Sequence, residues 1–329
     1  MPISRRIFLT GAIATSFALP TAGRLLAQTP QRTMPRNTGI YRFKLGNFNL
    51  ISISDGTLSV PAAIFAGNAK PEELQEVLKQ GFQGETLAAD CNVLLVDTGA
   101  NKVLIDTGSG LLNGATVGKL IENLQQAQIK PIDITAVILT HAHGDHVGGL
   151  NGKSGLTFPN ARYFISKQEW NFWTGREVDL PKFGGPAEMK QQMIEIAKTQ
   201  LSLIRDRVTQ FDVNQEFLPG FTAIPAYGHT PGHVAIRIAS GNAVMVHTAD
   251  TVHIHTINLW NPSWKPIFDA DREMAATTRQ AVLEKIAGDR TLMFAYHFPY
   301  PGIGHLRSRD RGGFDWQPVN WQFESSSEP

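Results

Sequence analysis

Apolar residues in this chain fall into short runs broken by Gly, Pro and Asp, and several longer stretches carry helical spacing. From 41 to 54 apolar and polar positions alternate (Phe43, Leu45, Phe48, Leu50, Ile51, Ile53), as in extended, half-buried backbone, and Asp55-Gly56 predicts a turn. Lys70-Pro71-Glu72-Glu73 opens a helix, with proline in the first turn and acids near the positive end of the dipole. Residues 91–96 and 103–105 read as strands joined by a hairpin over 97–102. Residues 117–129 have helical spacing (Val117, Leu120, Ile121, Leu124). Ala136-Val137-Ile138-Leu139 is a buried strand, and 162–165 a short one. An irregular stretch over 174–186, with three glycines and two prolines, precedes a long helix from about 186 to 208. Further strands fall at 221–226, 233–238, 243–246 and 292–296, a helix at 271–286, and a terminal strand within 314–323. Mixed strands and helices place the chain in the α/β (α+β) class.

One strand ends in chemistry that packing does not call for. Ala136–Leu139 runs through Thr140 into His141-Ala142-His143-Gly144-Asp145-His146. Imidazole nitrogen and carboxylate oxygen are ligands for zinc and its first-row neighbours. His141 and His143, two apart on extended chain, share a face and can grip one ion; Asp145 and His146 follow at a turn and can face a second. Gly144 and Gly148-Gly149 free the backbone to turn and start a helix. A second concentration, Gly228-His229-Thr230-Pro231-Gly232-His233, also follows a strand. Leu104-Ile105-Asp106-Thr107-Gly108-Ser109 matches the surroundings of an aspartic-protease carboxylate, and Val96-Asp97-Thr98-Gly99 nearly repeats it. Asp97 and Asp106 sit at opposite ends of one strand-turn-strand unit, so they cannot share a proton as that dyad does.

His-x-His-x-Asp-His resembles the signature of the metallo-β-lactamase fold, which implies a four-layer αββα sandwich with the site along one edge of the paired sheets. The resemblance extends to Ser54-Asp55-Gly56, Phe158-Pro159-Asn160-Ala161, Gly228 to His233 and Pro301-Gly302-Ile303-Gly304-His305, in the order seen in methyl parathion hydrolase and related lactonases. It implies two divalent ions, zinc by default with iron, manganese or cobalt as alternatives. His141, His143 and His229 would hold one and Asp145, His146 and His297 the other, with Asp250 bridging. Asp145 and Asp250 would be catalytic, with a hydroxide shared by the metals as nucleophile. Asp106, His233 and, as a fallback for His297, His305 would support from behind.

The same resemblance implies cleavage of neutral hydrophobic lactones or aryl esters, with phosphotriesters as the alternative and a non-catalytic metal-binding protein as the rival class. Trp170, Trp173, His253, His255 and Phe298 are expected around the pocket, joined by Phe172, Trp260 and Trp264. The imidazoles of His253 and His255 depart from the aliphatic residues expected after Asp250.

Composition narrows the rest. With 42% hydrophobic and 18% charged residues the chain can bury a large core, and it has no apolar run long enough for a permanent membrane anchor. Ser4-Arg5-Arg6-Ile7-Phe8-Leu9 before a short apolar stretch resembles a twin-arginine export signal. The expected organisation is a signal over 1–27, a linker over 28–40, one hydrolase domain over 41–323 and a tail over 324–329, with the mature protein in the periplasm. Losing 1–27 removes three arginines and no acid, taking the formal charge from +1 to −2. That leaves no electrostatic footprint for nucleic acid and favours a small-molecule partner. A homodimer stays open. Cys91 is the single cysteine, so no internal disulfide forms.

Overall fold

The first sheet opens with antiparallel pairing among β1 (Ile40–Leu45), β2 (Phe48–Pro61), β3 (Thr86–Asp97) and β4 (Lys102–Ile105), with helix α1 (Pro71–Gln80) between β2 and β3. The computed structural model of the protein describes residues 37–152 and 155–321. The expected export signal, residues 28–36 of the expected linker and the 324–329 tail lie outside the described residues. After β4 the pairing turns parallel, through β5 (Ala136–Leu139), β8 (Arg162–Ser166) and β9 (Val208–Phe211). Parallel neighbours need long crossovers. These hold α2 (Leu120–Gln126), then α3 (Gly144–Val147) with a ribbon of β6 (Asn151–Gly152) and β7 (Gly155–Leu156), then α4 (Lys167–Trp173) and α5 (Ala187–Ser202). The first sheet has the order β1-β2-β3-β4-β5-β8-β9.

The second sheet runs in chain order through β10 (Glu216–Leu218), β11 (Phe221–Pro225), β12 (Val234–Ser240), β13 (Ala243–His247), β14 (Leu292–Phe294), β15 (Ile303–Ser308) and β16 (Phe314–Pro318). Only β13 and β14 pair in parallel, and their crossover carries α6 (Arg272–Gly288).

Alternate side chains on a strand point to opposite faces, and here both faces are buried. Leu94 and Val96 on β3, Ala136 and Ile138 on β5, and Ile236, Ile238 and Met245 of the second sheet meet in one cluster between the sheets. Their neighbours Val93, Leu95, Val137 and Leu139 face the other way, onto Leu124 of α2, Trp173 of α4 and Leu201 of α5. Ala235, Val246 and Met293 face Leu283 and Ile286 of α6. Strands buried on both sides read as continuous apolar runs, which is why Ala136–Leu139 shows no alternation. The layers are helix, sheet, sheet, helix: the αββα sandwich.

Three local expectations change. Asp55-Gly56 is not a turn; β2 runs through it with a bulge between Ser54 and Thr57. The Asp55 carboxylate accepts from the backbone N–H groups of Ser109, Gly118 and Leu120 at 2.7, 3.2 and 2.9 Å, so the bulge aims it at the neighbouring loop. The helix expected over 117–129 starts only at Leu120, because Gly118 is left-handed (φ 75°) and Asp55 takes the amides of that turn. The helix expected to reach 208 stops at Ser202, and the chain turns to enter β9. Among the described residues, no helix is long and apolar enough to cross a membrane.

Candidate metal centre

All seven expected ligands converge where strands of both sheets end. His141 and His143 follow β5, and Asp145 and His146 open α3. His229 lies after β11, Asp250 just beyond β13 and His297 just beyond β14. Their donor atoms form two groups, each within 4.8 Å: His141, His143, His229 and Asp250, then Asp145, His146, Asp250 and His297. Asp250 belongs to both. Its Oδ1 lies 3.1 Å from His146 Nε2, and its Oδ2 lies 3.3 Å from His229 Nε2 and 3.5 Å from His297 Nε2. His297 Nε2 is also 3.3 Å from Asp145 Oδ2.

The imidazoles are oriented from behind. His146 Nδ1 donates to Asp106 Oδ2 at 2.8 Å, His229 Nδ1 to Asp269 Oδ1 at 2.9 Å and His297 Nδ1 to the Asp90 carbonyl at 2.9 Å. Each bond fixes the tautomer that leaves Nε2 bare toward the cluster. Asp106 also accepts from the N–H and hydroxyl of Thr140, both at 2.8 Å, and holds a left-handed backbone (φ 64°), strain that a scaffold tolerates where a site needs it. Gly149 lets the metal loop lie against that turn, since a Cβ there would meet the Thr107 carbonyl at 1.9 Å. His233 accepts from the Asp250 N–H at 3.1 Å and donates to the Ala226 carbonyl, so it stands behind the shared aspartate. The Tyr296 ring lies against His146, and its hydroxyl donates to the Asp145 carbonyl at 2.7 Å.

The donor set fits cations. His143 Nε2, His146 Nε2 and Asp250 Oδ1 are buried with no hydrogen-bond partner, although buried polar atoms are almost always paired. Asp106, Asp145, Asp250 and Asp269 crowd one small volume. The only permanent cation paired with them among the described residues is Arg279, 3.3 Å from Asp269. Burial opposes charge on His146, yet Asp250, Asp145 and Asp106 push its pKa up to about 10. Burial likewise opposes charge on His229, and Asp250 with Asp269 pushes it up to about 9. His141 and His143 go the other way, held well below the usual imidazole range by burial and by neighbouring imidazoles. Dications would balance these carboxylates without protonating the ligands.

The cluster floors a cleft of about 390 Å³. Its walls come from β2 and the turn after it (Leu58, Val60, Ile64, Phe65), from α5 (Met189, Met193, Ile196) and from Phe268. Among the described residues no lysine or arginine lines it. His253 does, with Nε2 3.3 Å from Asp250 Oδ2 and no hydrogen-bond partner for Nδ1.

The other expected pocket residues are elsewhere. Trp170 and Trp173 are turned into the core by α4, which Ser166 caps, and Trp173 Nε1 donates to Glu169. Phe298 is fully buried against Trp316 under the α6 side of the second sheet, and His255 packs beside Phe298, away from the cleft. Phe172 packs edge-on against Trp173, and Trp264 is buried near α1. Trp260 is exposed beneath the Arg309 guanidinium. His305 is exposed on β15 and reaches no ligand, so His297 needs no fallback. Asp97 only braces its hairpin, accepting from Gly99 N–H and Lys102 Nζ.

Sequence reasoning passed over three buried groups: Asp269, Arg279 behind it, and Glu169 on α4. A lone acid outside a motif carries no local signal. The wall of α5 was legible only as an apolar stripe (Met189, Met193, Ile196), which reads the same whether it faces a core or a cleft.

Known proteins are similar to this chain in sequence and fold. AidC, a dizinc quorum-quenching lactonase solved with a product, superposes with a TM-score of 0.82 and 32% identity, over 87% of this chain and 99% of that one. An N-acyl homoserine lactonase of a Bacillus species is 24% identical over 248 residues, 70% of this chain and 86% of that protein. The metallo-beta-lactamase domain-containing protein 1 of Xenopus laevis is 35% identical over 98 residues, 29% of this chain; the match spans 38% of that relative's length. The metallo-beta-lactamase superfamily model matches residues 88–297, and the chain belongs to that superfamily.

Proposed function

We propose that the protein is a dinuclear hydrolase of neutral lactones and aryl esters bearing an apolar arm, with phosphotriesters as poorer substrates. The observation that carries this reading is the pairing of the two ligand groups, joined at Asp250, with a cleft whose walls are mostly aliphatic, thioether and phenyl, with Ser59, Asn113 and Gln192 as the uncharged polar exceptions. When bound, two divalent ions, zinc by default, supply the Lewis acidity that brings the ionisation of water toward neutral pH and polarises a carbonyl oxygen. The chain does the rest. Met189, Met193, Ile196 and Phe65 exclude water and take up the apolar arm. Asp106, Asp269 and the Asp90 carbonyl hold three imidazoles to one orientation. A wall without cationic side chains disfavours phosphate monoesters and nucleic acids. His253, the one further imidazole in the cleft, is placed to tune the choice among neutral substrates. The similarity to two lactonases, AidC and the Bacillus enzyme, supports the lactone arm.

Ser4 to Leu9 supports a further proposal, export by the twin-arginine route to the periplasm, tested by fractionating cells that express Arg5→Lys/Arg6→Lys beside the parent. The catalytic reading is tested on protein lacking residues 1–27 and reconstituted with zinc. Elemental analysis should give two ions per chain, and kcat/KM should rank acyl lactones and aryl esters above a paraoxon-like triester. A triester preference above about tenfold, roughly 1.4 kcal/mol, overturns that ranking. Full metal content with no turnover on the whole panel would favour the non-catalytic metal-binding reading.

A further inference from the structure

We infer that Glu169 is a positioning residue that clamps the two loops carrying His141, His143 and His229 to one carboxylate. This rests on the two-ion reading above and adds how the first group is kept in register. Glu169 is fully buried on α4. Its Oε1 accepts from Ala142 N–H at 3.0 Å and Trp173 Nε1 at 2.6 Å. Its Oε2 accepts from the Thr230 hydroxyl at 2.7 Å and Gly232 N–H at 2.8 Å. Ala142 stands between two ligands of the first loop, and Thr230 directly follows the ligand of the second. Four donors fill both oxygens, which suits an ionised carboxylate acting only as acceptor.

The rest of the helix start grips the same loop. The Ser166 hydroxyl donates to the Gly232 carbonyl at 2.7 Å, and Gln168 Nε2 donates to the Pro231 carbonyl at 2.6 Å. Gly232 is needed for this approach, because a Cβ there would meet the Glu169 backbone nitrogen at 2.1 Å. The Trp173 ring, held by the same carboxylate, stands edge-on to His143 with centroids 6.3 Å apart. The second group has other supports, Asp106 for His146 and the Asp90 carbonyl for His297, so the clamp acts on one group only. Glu169→Gln keeps the shape but swaps one acceptor for an NH₂ that must face two donors.

The test uses protein lacking residues 1–27, stripped of metal and titrated with Co²⁺ by visible absorption against a chelator. His297→Ala leaves the first group as the intact one, and His143→Ala leaves the second. Adding Glu169→Gln should weaken Co²⁺ binding about 10–100-fold in the His297→Ala background, the size found for outer partners of ligands. It should change nothing in the His143→Ala background. Thr230→Val, which removes one of the four donors, should show the same selectivity with a smaller loss if Glu169→Gln does not fold. Lys167→Ala, on the exposed side of the same helix, should leave both affinities alone.

Equal weakening in both backgrounds, or a lower melting temperature with both affinities kept, would overturn the clamp. The parent titration is read first: fewer than two ions overturns the dinuclear reading, whereas a two-ion parent with an unchanged Glu169→Gln overturns the clamp alone.

Discussion

The floor of the cleft and its walls hold their side chains in different ways. On the floor, His146, His229 and His297 each spend one nitrogen on a fixed partner, and Asp250 is held through its backbone by His233. On the walls, Met189, Met193 and Ile196 are only half-buried, come from one face of α5, and are kept in place by packing alone. Hydrogen-bonded, buried polar networks have few alternative arrangements, whereas thioethers repack readily. The floor should therefore fail abruptly when altered, and the walls should change by degrees.

Asp250→Ala is expected to break the comparison most severely at the floor. It removes the one ligand common to both groups, so metal content and turnover should fall by more than the roughly 100-fold associated with an outer partner. Elemental analysis alongside steady-state kinetics checks this, and retention of both ions would remove Asp250 from its shared role.

Asp269→Ala and Asp106→Ala come next. Each frees the tautomer of one ligand and should weaken metal binding about 10–100-fold, read by chelator competition. Asp269→Ala should also lower the melting temperature, since it leaves Arg279 buried without its carboxylate. If either variant bound metal like the parent, the floor would be no more constrained than the walls.

Met193→Lys places a charge in the apolar wall. It should cut kcat/KM for long-chain lactones about tenfold, close to 1.4 kcal/mol, while metal content and activity on short-chain lactones stay near the parent's. A comparable loss on short chains would mean that this wall acts on the floor and not on the substrate arm. The smallest effect is expected at Asp97→Ala, far from both. Its half-exposed hairpin bonds make a loss of about 1 kcal/mol in chemical denaturation the ceiling.

The same contrast explains what the sequence could tell. His141 to His146 are local, so their spacing alone announced a metal loop. His229, Asp250 and His297 are far apart in the chain, but each follows a strand of the second sheet, and the ordered series of strand ends made them legible once the family resemblance was seen. The walls had no such marker. Trp170 and Trp173 drew attention as aromatics, but the Ser166 cap starts a helix whose rotation points them both inward. Met189, Met193 and Ile196 have the spacing of a core stripe and became a wall only because α5 lies over the ligand loops. Asp55 looked like a turn residue, because nothing in its neighbours reveals that Ser109, Gly118 and Leu120 will supply three donors from another part of the chain.

Because the ligands come from both sheets, from His141 after β5 to His297 after β14, the cluster also ties the sandwich together. An ion that binds only the assembled donors stabilises the native state by mass action. Each tenfold rise in free ion above the dissociation constant adds about 1.4 kcal/mol. With such an ion bound, the melting temperature would follow metal activity in the surroundings, and a chelator should act on this fold as a mild denaturant. A cell compartment poor in the ion would hold less folded protein as well as less active protein.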